Sequence, residues 1–116
     1  MEILNFINGD FKASLNGEQL DLIEPASGKI YGSLPKSNST DVQKAVDAAE
    51  AAFLGWSNST VEYRSKILQN IAKLIEDQAD ELAKLESKDN GKPVHLAASI
   101  DIPRAANNFS FFANAI

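Results

Sequence analysis

The residues of this sequence that could do chemistry are few, and cysteine is absent. The 116 residues therefore hold no disulfide, no thiolate metal ligand and no cysteine nucleophile. His95 is the single histidine, so no histidine cluster can bind a metal, and a Ser-His-Asp relay would have to use that one imidazole. A lone histidine just inside a helix is more often a surface or packing residue than a catalytic one.

A second candidate lies in the stretch Asp89–Pro93, which reads DNGKP. Backbone N–H groups and the Lys92 ammonium, placed beside a helix start, could bind an anion. The alternative is structural: one helix stops at Asn90-Gly91 and the next starts at Pro93. We favour the structural interpretation, because a single glycine with no strand before it falls short of a phosphate-binding fingerprint.

Asp101 is a carboxylate among apolar neighbours, Ile100, Ile102 and Pro103. If its side chain is buried, it needs a partner for its charge. One interpretation is that Asp101 caps the helix that follows. The other is that Asp101 binds a cation through its hard oxygen atoms. The residues alone leave both interpretations open.

The remaining charged and aromatic clusters are interpreted as structural. Acidic residues between Glu76 and Glu86 alternate with lysines, which is typical of a solvated helix face with i,i+4 pairs. The phenylalanines at 109, 111 and 112 predict a packing surface rather than a cofactor site.

Charge and composition limit the classes of partner. With 44% hydrophobic residues, a formal net charge of −5 and a pI of about 4.7, the chain gives no reason to expect nucleic acid or an anionic membrane. No apolar run approaches the roughly 20 residues that a membrane span needs. The start, MEILNFINGD, lacks the basic flank and the apolar stretch of a signal peptide, so we expect a cytoplasmic protein.

The elements that must position these residues begin with two predicted β-hairpins in residues 1–35. In NFINGDF, Asn8-Gly9 supplies the two turn positions that need positive φ. In QLDLIEPASGKIYGSL, Pro25 pre-sets the bend and Gly28 suits its left-handed position. Two hairpins alone are marginal in water, so we expect this part to join a larger layer.

Apolar residues at helical spacing predict helices over 40–55, 60–90 and 93–116. The first two are expected to open with capping boxes, and the first to stop at Gly55. The boxes pair Thr40 with Gln43, and Ser59 with Glu62.

Two interruptions are predicted within these helices. The stretch from Asp77 to Asp80 is a break point in the long second helix, which ends at Asn90-Gly91. Pro93 fits the first turn of the third helix, and Pro103 should kink or split that helix near Asp101. Its apolar end carries no stop signal, which predicts the front part of a larger protein. The predicted fold class is an α+β segment, with two β-hairpins followed by three or four α-helices.

The order of these motifs resembles the amino-terminal segment of the NAD(P)-dependent aldehyde dehydrogenases. The resemblance runs over essentially the whole chain, through NFINGDF, IEPASGKIYGSLP, DVQKAVDAAEAAFLGW and the helical stretch that ends in LESKDNGKP. The tail SIDIPRAANNFSFFANAI is most similar to the branch that oxidises 2-hydroxymuconic and aminomuconic semialdehydes. One departure is Glu24-Pro25 where the family usually has Asn-Pro, which puts the local hydrogen bonding of that turn in question.

The resemblance implies that residues 1–116 are the front part of an α/β Rossmann-like coenzyme domain, without a complete catalytic or dinucleotide-binding domain. In the family a cysteine attacks the aldehyde, hydride passes to NAD or NADP, and a glutamate-activated water releases the carboxylic acid. These residues lie beyond residue 116, so the segment is expected to act as a scaffold and to be inactive alone. Its partner is the remainder of the dehydrogenase chain, in a family of homo-oligomers.

The resemblance also implies a monovalent cation site. Many members of the family bind such an ion, Na⁺ or K⁺, through main-chain carbonyls just before the Asn-Pro turn and an aspartate after NGKP. The matching positions are Leu22, Ile23 and Asp101. Such a site would be structural, because it would hold the hairpin against the helix.

The alternative function belongs to another class. A truncated, non-catalytic helical module could self-associate, or dock on a partner, through its Phe-rich C-terminal helix. Light scattering on the 116-residue chain distinguishes the two, because a clean monomer that unfolds sharply indicates an independent domain.

Overall fold

A computed structural model describes residues 1–116 and divides them into two compact units, Met1–Asn58 and Ser59–Ile116. The first unit contains two antiparallel hairpins and one long helix. The second unit contains the remaining helices. The predicted α+β class, with two hairpins followed by helices, is therefore confirmed.

The elements follow one another with short connections. None of the helices combines the length and the apolar character that a membrane crossing needs. The strands are β1 (Asn5–Ile7), β2 (Asp10–Lys12), β3 (Gln19–Glu24) and β4 (Lys29–Pro35). The helices are α1 (Ser39–Ser57), α2 (Val61–Asp77), α3 (Ala79–Asn90), the short α4 (Val94–Leu96), a π-helical segment (Ala97–Asp101) and α5 (Ile102–Ala115).

The first hairpin forms as its sequence predicts. Asn8 and Gly9 both have positive φ, 54° and 84°, which is the backbone that a two-residue hairpin turn of the primed type requires. Phe6 lies directly opposite Phe11, and their ring centroids are 5.1 Å apart. This cross-strand aromatic pair stabilises the register of β1 and β2.

The second hairpin answers the question raised by Glu24. The Glu24 carboxylate accepts a hydrogen bond from the Ser27 hydroxyl at 2.5 Å, and the Glu24 carbonyl accepts one from the Gly28 N–H at 2.8 Å. Gly28 has a φ of 67°, as predicted. A glutamate can therefore organise this turn where the resembling family usually has an asparagine.

An N-terminal segment pairs with the free edge of β4. The Ile3 N–H donates to the Ser33 carbonyl at 2.9 Å, and the Ser33 N–H donates to the Met1 carbonyl at 3.0 Å. Gly32 lies under this crossing, where an added Cβ would sit 2.3 Å from the Met1 carbonyl oxygen. Glycine is required at position 32 because backbone approaches backbone there.

Helix α1 begins differently from the prediction. Its N-cap is Asn38, whose side chain accepts from the N–H groups of Thr40 (2.8 Å) and Asp41 (3.3 Å). The Asp41 carboxylate in turn accepts from the Asn38 N–H at 2.9 Å, which completes a capping box. The predicted box of Thr40 and Gln43 is wrong, because Asn38 already satisfies the first free N–H groups of the helix.

Two further helix boundaries correct the prediction. Gly55 does not stop α1, which continues to Ser57 because no positive φ occurs at Gly55. Thr60 rather than Ser59 caps α2, since its hydroxyl accepts from the Tyr63 N–H at 3.2 Å. The predicted box of Ser59 and Glu62 is therefore wrong as well.

The two interruptions fall where they were predicted. The long helical stretch breaks at Gln78, between α2 and α3, and α3 ends at Gly91 with a φ of 78°. Pro93 has extended backbone and immediately precedes α4, rather than lying in a helical turn. The interruption near Pro103 takes the form of the π-helical segment Ala97–Asp101, after which Pro103 occupies the first turn of α5.

The second unit is held together by small side chains. The buried apolar residues of this unit are all alanines, and no large side chain is fully buried. Alanines let the axes of α2 and α5 approach closely, and the Ser65 hydroxyl of α2 donates to the Ala113 carbonyl of α5 at 2.7 Å. The buried alanines are Ala72, Ala83, Ala97, Ala106 and Ala113.

The large apolar side chains consequently remain on the surface. Phe109, Phe112 and Ile116 are 37%, 58% and 49% exposed, so this chain does not enclose its Phe-rich end, as the sequence predicted. Helix α1 likewise exposes Phe53 and Leu54. Exposed apolar area on this scale is typical of a surface that further polypeptide covers.

Gly32→Ala tests the close approach at β4. The new methyl group collides with the Met1 carbonyl, so we expect a loss of about 1–3 kcal/mol in the free energy of unfolding. Faster hydrogen exchange at the amides of Ile3 and Ser33 should accompany this loss.

The matched control is Gly55→Ala, since no atom lies within 4 Å of the added Cβ. It should stabilise the interior of α1 by about 0.5–1 kcal/mol. Parent-level protection of Ile3 and Ser33 in Gly32→Ala would contradict the assigned contact.

Candidate functional site

The DNGKP turn is organised by the side chain of Asn90. Its amide oxygen accepts from the Lys92 N–H at 2.8 Å, and its amide nitrogen donates to the Glu86 carboxylate at 2.5 Å. The Gly91 N–H donates to the Ser87 carbonyl at 2.9 Å. The backbone N–H groups of Gly91 and Lys92 are thus occupied, which agrees with the structural interpretation of this turn over an anion site.

Asp101 is paired with Lys92. The Lys92 ammonium donates to Oδ2 of the Asp101 carboxylate, and the two side chains are 36% and 28% exposed. Asp101 makes no capping hydrogen bond to α5. The prediction that Asp101 caps this helix is therefore wrong, because its carboxylate is directed to the lysine of the preceding turn.

His95 and its neighbours do not form a catalytic relay. The Ser99 hydroxyl donates to the His95 carbonyl at 2.7 Å, as a serine often does four residues after its acceptor in a helix. The His95 residue itself is exposed. This exposed position agrees with the interpretation of His95 as a surface residue.

The three residues of the expected cation site lie in different units. Leu22 and Ile23 belong to β3 in the first unit, and Asp101 ends the π-helical segment of the second. A β-bulge occurs opposite these two strand residues, since Leu22 pairs with Gly32 while Ile23 pairs with Ile30. The bulge interrupts the regular ladder at their carbonyls. That these three residues share one ion stays a prediction.

The fit of an ion to Asp101 is opposed by the charge already beside it. One oxygen of its carboxylate accepts from the Lys92 ammonium, so a metal ion at Asp101 would meet a second positive charge at close range. No group of three or more His, Cys, Asp or Glu side chains is arranged to hold a metal ion. One oxygen of the Asp101 carboxylate therefore already has a cationic partner within this chain.

Asp41 is a buried carboxylate that the sequence alone did not single out. It is 4% exposed, and its two oxygens accept from the N–H groups of Leu15 (3.0 Å) and Asn38 (2.9 Å). Because backbone amides occupy both oxygens, Asp41 is structural rather than a general base. The spacing of Asn38 and Asp41 is the capping-box signal that could have found it.

A shallow groove lies beside β1 and the first turns of α1. Its volume is about 200 Å³, and apolar side chains such as Ile7 and Val42 form most of its wall. Asp41 reaches it, but with both oxygens already bonded. The groove therefore offers apolar contact and no free polar group from that carboxylate.

The acidic side of the second unit is a solvated face, as predicted. The Lys73 ammonium contacts the Asp77 carboxylate at 2.8 Å, one helical turn away. The hydrogen bond and the charge of Asp77 raise the pKa of Lys73 above its usual value. Such exposed pairs contribute little to stability and do not form a catalytic carboxylate pair.

Comparison with known proteins decides the family. Residues 11–116 match the sequence model of the aldehyde dehydrogenase family. This chain belongs to that family. It is 46% identical over 112 residues to the 2-aminomuconic semialdehyde dehydrogenase of Bos taurus, and 40% identical over 110 residues to that of Homo sapiens. These matches cover 97% and 95% of this chain, but only 23% and 22% of the relatives.

Solved aldehyde dehydrogenase-like structures share the fold of this segment. The crystal structure of PnpE in complex with nicotinamide adenine dinucleotide superposes with a TM-score of 0.96 at 32% identity, and HpcC from Thermus thermophilus with 0.95 at 36%. Both cover 98% of this chain, and the chain covers 23% and 22% of theirs. This family member therefore spans less than a quarter of the length of each of these four proteins.

Asp41→Asn tests the buried carboxylate of this dehydrogenase segment. The amide nitrogen cannot accept a hydrogen bond, so the N–H of Leu15 or of Asn38 loses its partner. We expect the free energy of unfolding in urea to fall by about 1–3 kcal/mol.

Asp47→Asn is the control on the same helix, because Asp47 is exposed and accepts from the Gln43 side chain at 2.8 Å. This change should stay within about 0.5 kcal/mol of the parent. Equal losses in Asp41→Asn and Asp47→Asn would show that burial of Asp41 has no effect on stability.

Proposed function

We propose that this chain is the N-terminal scaffold segment of an aldehyde dehydrogenase that oxidises an aldehyde or semialdehyde to the carboxylic acid with NAD(P)⁺. The match that supports this most is with a 2-aminomuconic semialdehyde dehydrogenase, at 46% identity over 97% of the chain. A structure of the similar protein PnpE with nicotinamide adenine dinucleotide supports a nicotinamide cofactor for the full-length protein. A cytoplasmic location and homo-oligomeric assembly are part of the same proposal.

The exposed apolar side chains support the scaffold role. Covering a large apolar side chain stabilises a protein by about 1.5–3 kcal/mol. On this chain such side chains project from α1 and from α5, while the interior holds only alanines as fully buried apolar groups. The remainder of a dehydrogenase chain is the natural partner for these faces. They include Val42, Val46, Phe53, Leu54, Phe109, Phe111, Phe112 and Ile116.

The chemistry belongs to residues outside this segment. In the proposed enzyme a thiolate attacks the aldehyde carbon, and the nicotinamide, when bound, accepts the hydride. The segment has no cysteine, and the carboxylates Asp41 and Asp101 are both bonded to donors of the chain. Its residues therefore position other elements rather than react.

The alternative of a free-standing interaction module is less well supported. The similarity to dehydrogenase structures covers 98% of the chain, and thus reaches into the Phe-rich helix α5. The Phe-rich helix therefore has a counterpart in the similar enzyme structures and needs no separate interaction role to explain it.

Co-expression with the remaining part of the Bos taurus relative tests the proposal. The 116-residue chain alone should produce no NADH from a semialdehyde, whereas the two parts together should, because α1 and α5 become covered. NADH absorbance is the measurement. Replacing both Phe111 and Phe112 by serine should weaken this complementation, since the two side chains are 66% and 58% exposed in the chain alone.

Lys84→Gln is the control, because it changes an exposed polar residue of α3 and should leave complementation intact. A 116-residue monomer that unfolds sharply, scatters light as a single species and never complements the remaining part would support the interaction module instead.

A further inference from the structure

The sequence contains three Asn-Gly dipeptides, and the fold holds them in two different ways. They are Asn8-Gly9 in the first hairpin, Asn16-Gly17 between the hairpins and Asn90-Gly91 at the end of α3. All three are exposed. Asparagine is a heat-labile residue, and a following glycine has no side chain to shield its backbone nitrogen from the asparagine side chain. Each dipeptide is therefore a candidate site of spontaneous modification.

Two of the dipeptides are held by the same kind of hydrogen-bond pair. The Gly17 N–H donates to the Ser14 carbonyl at 3.0 Å, and the Asn16 side chain accepts from the Glu18 N–H at 3.0 Å. The two corresponding bonds at Asn90-Gly91, described above for the DNGKP turn, are 2.9 Å and 2.8 Å. In both dipeptides the asparagine oxygen thus binds the second N–H that follows it, and the glycine nitrogen is directed to a preceding carbonyl.

The third dipeptide differs because it forms the two-residue turn of the first hairpin. Ile7 and Asp10, which flank the turn, are paired across the strands. Neither the Gly9 N–H nor the Asn8 side chain has a hydrogen-bond partner in the structure. Both groups are left free by the same primed turn geometry that makes Asn-Gly favourable at this position.

Deamidation needs the two groups that are free at this turn. The Gly9 nitrogen, after losing its proton to a base, attacks the side-chain Cγ of Asn8. The bond from Cγ to the side-chain nitrogen breaks, and that nitrogen leaves as ammonia. Water then opens the resulting five-membered imide at either carbonyl, which gives aspartate or isoaspartate without any oxidation or reduction.

We propose that Asn8-Gly9 is the site at which this chain deamidates first, and that the isoaspartyl product opens the β1–β2 hairpin. In that product the backbone runs through the former side chain, which adds one atom to the turn. The register that places Phe6 opposite Phe11 depends on a two-residue turn with φ of 54° and 84°, and the added atom removes that geometry. The inference uses only the first unit and the three turns, so it does not depend on the dehydrogenase assignment.

Incubation of the folded chain at mildly alkaline pH, followed by peptide mass spectrometry, tests this proposal. The mass gain that marks conversion of an amide to an acid should develop at Asn8 roughly tenfold faster than at Asn16 or Asn90, because the groups at those two sites are already hydrogen-bonded. In guanidinium chloride, which removes these bonds, the three rates should approach one another.

Three results would overturn the proposal. The first is equal rates in the folded chain, or a first product at Asn16 or Asn90. The second is an unreactive Asn8 under conditions where the unfolded chain reacts. The third is the same ratio of rates in guanidinium chloride, because the lead of Asn8 would then not come from the fold.

Asn8→Gly is the matched variant, since glycine accepts the positive φ of this position and carries no side-chain amide. It should preserve the pairing of β1 with β2 and lose the early product. After equal incubation, the amides of β1 and β2 should exchange hydrogen faster in the parent than in Asn8→Gly. Equal exchange in the two incubated chains, with isoaspartate present in the parent, would show that the hairpin tolerates the product and would contradict its opening.

Discussion

The first unit depends on one buried carboxylate with two backbone donors. Asp41 lies in the first turn of α1, yet it accepts the N–H of Leu15 from the loop between the two hairpins. A buried charge is stable only when donors surround it, so the loop and the helix start must keep this arrangement together. The nearby Ser14 hydroxyl bonds the Glu18 carbonyl at 2.8 Å, which closes the same loop.

The second unit follows a different rule, because its interior is made of alanines. Small side chains permit close packing of the helices. The bulky residues of α5 then lie outside the helix contacts and remain exposed. A segment of this kind has one tight face and one unfinished face. Membership of a family whose curated representatives are more than four times as long fits this arrangement, since 23% coverage leaves most of such a protein to finish that face.

Local turn chemistry was readable from the sequence, whereas the choice among adjacent capping residues was not. Asn8-Gly9 and Gly91 take left-handed backbone, which few other residues accept without strain. The tetrapeptide SNST occurs twice, at 37–40 and 57–60, and the two copies are used differently. Asn38 caps the first helix because the Asp41 side chain, three residues later, accepts a hydrogen bond from the Asn38 N–H. In the second copy Asn58 is the C-cap of α1, and Thr60 caps α2.

The partner of Asp101 could not be predicted for a related reason. Helical periodicity assumes 3.6 residues per turn, and the π-helical segment breaks that assumption just before Asp101. In the sequence the two opposite charges are nine positions apart, a spacing that does not place them on the same face of a regular α-helix. The ion pair with Lys92 therefore appears only once the backbone is known.

The end of α3 also bears on the chemical lifetime of the Asn90-Gly91 dipeptide. An asparagine before glycine is prone to deamidation, because its side chain can cyclise onto the next backbone nitrogen without hindrance. At Asn90-Gly91 that nitrogen donates its proton to the Ser87 carbonyl, and the asparagine oxygen is held by the Lys92 N–H. The hydrogen bonds at the helix end therefore hold both reacting groups, the Gly91 nitrogen and the Asn90 side chain, away from cyclisation. Deamidation of this dipeptide then requires the helix end to open first.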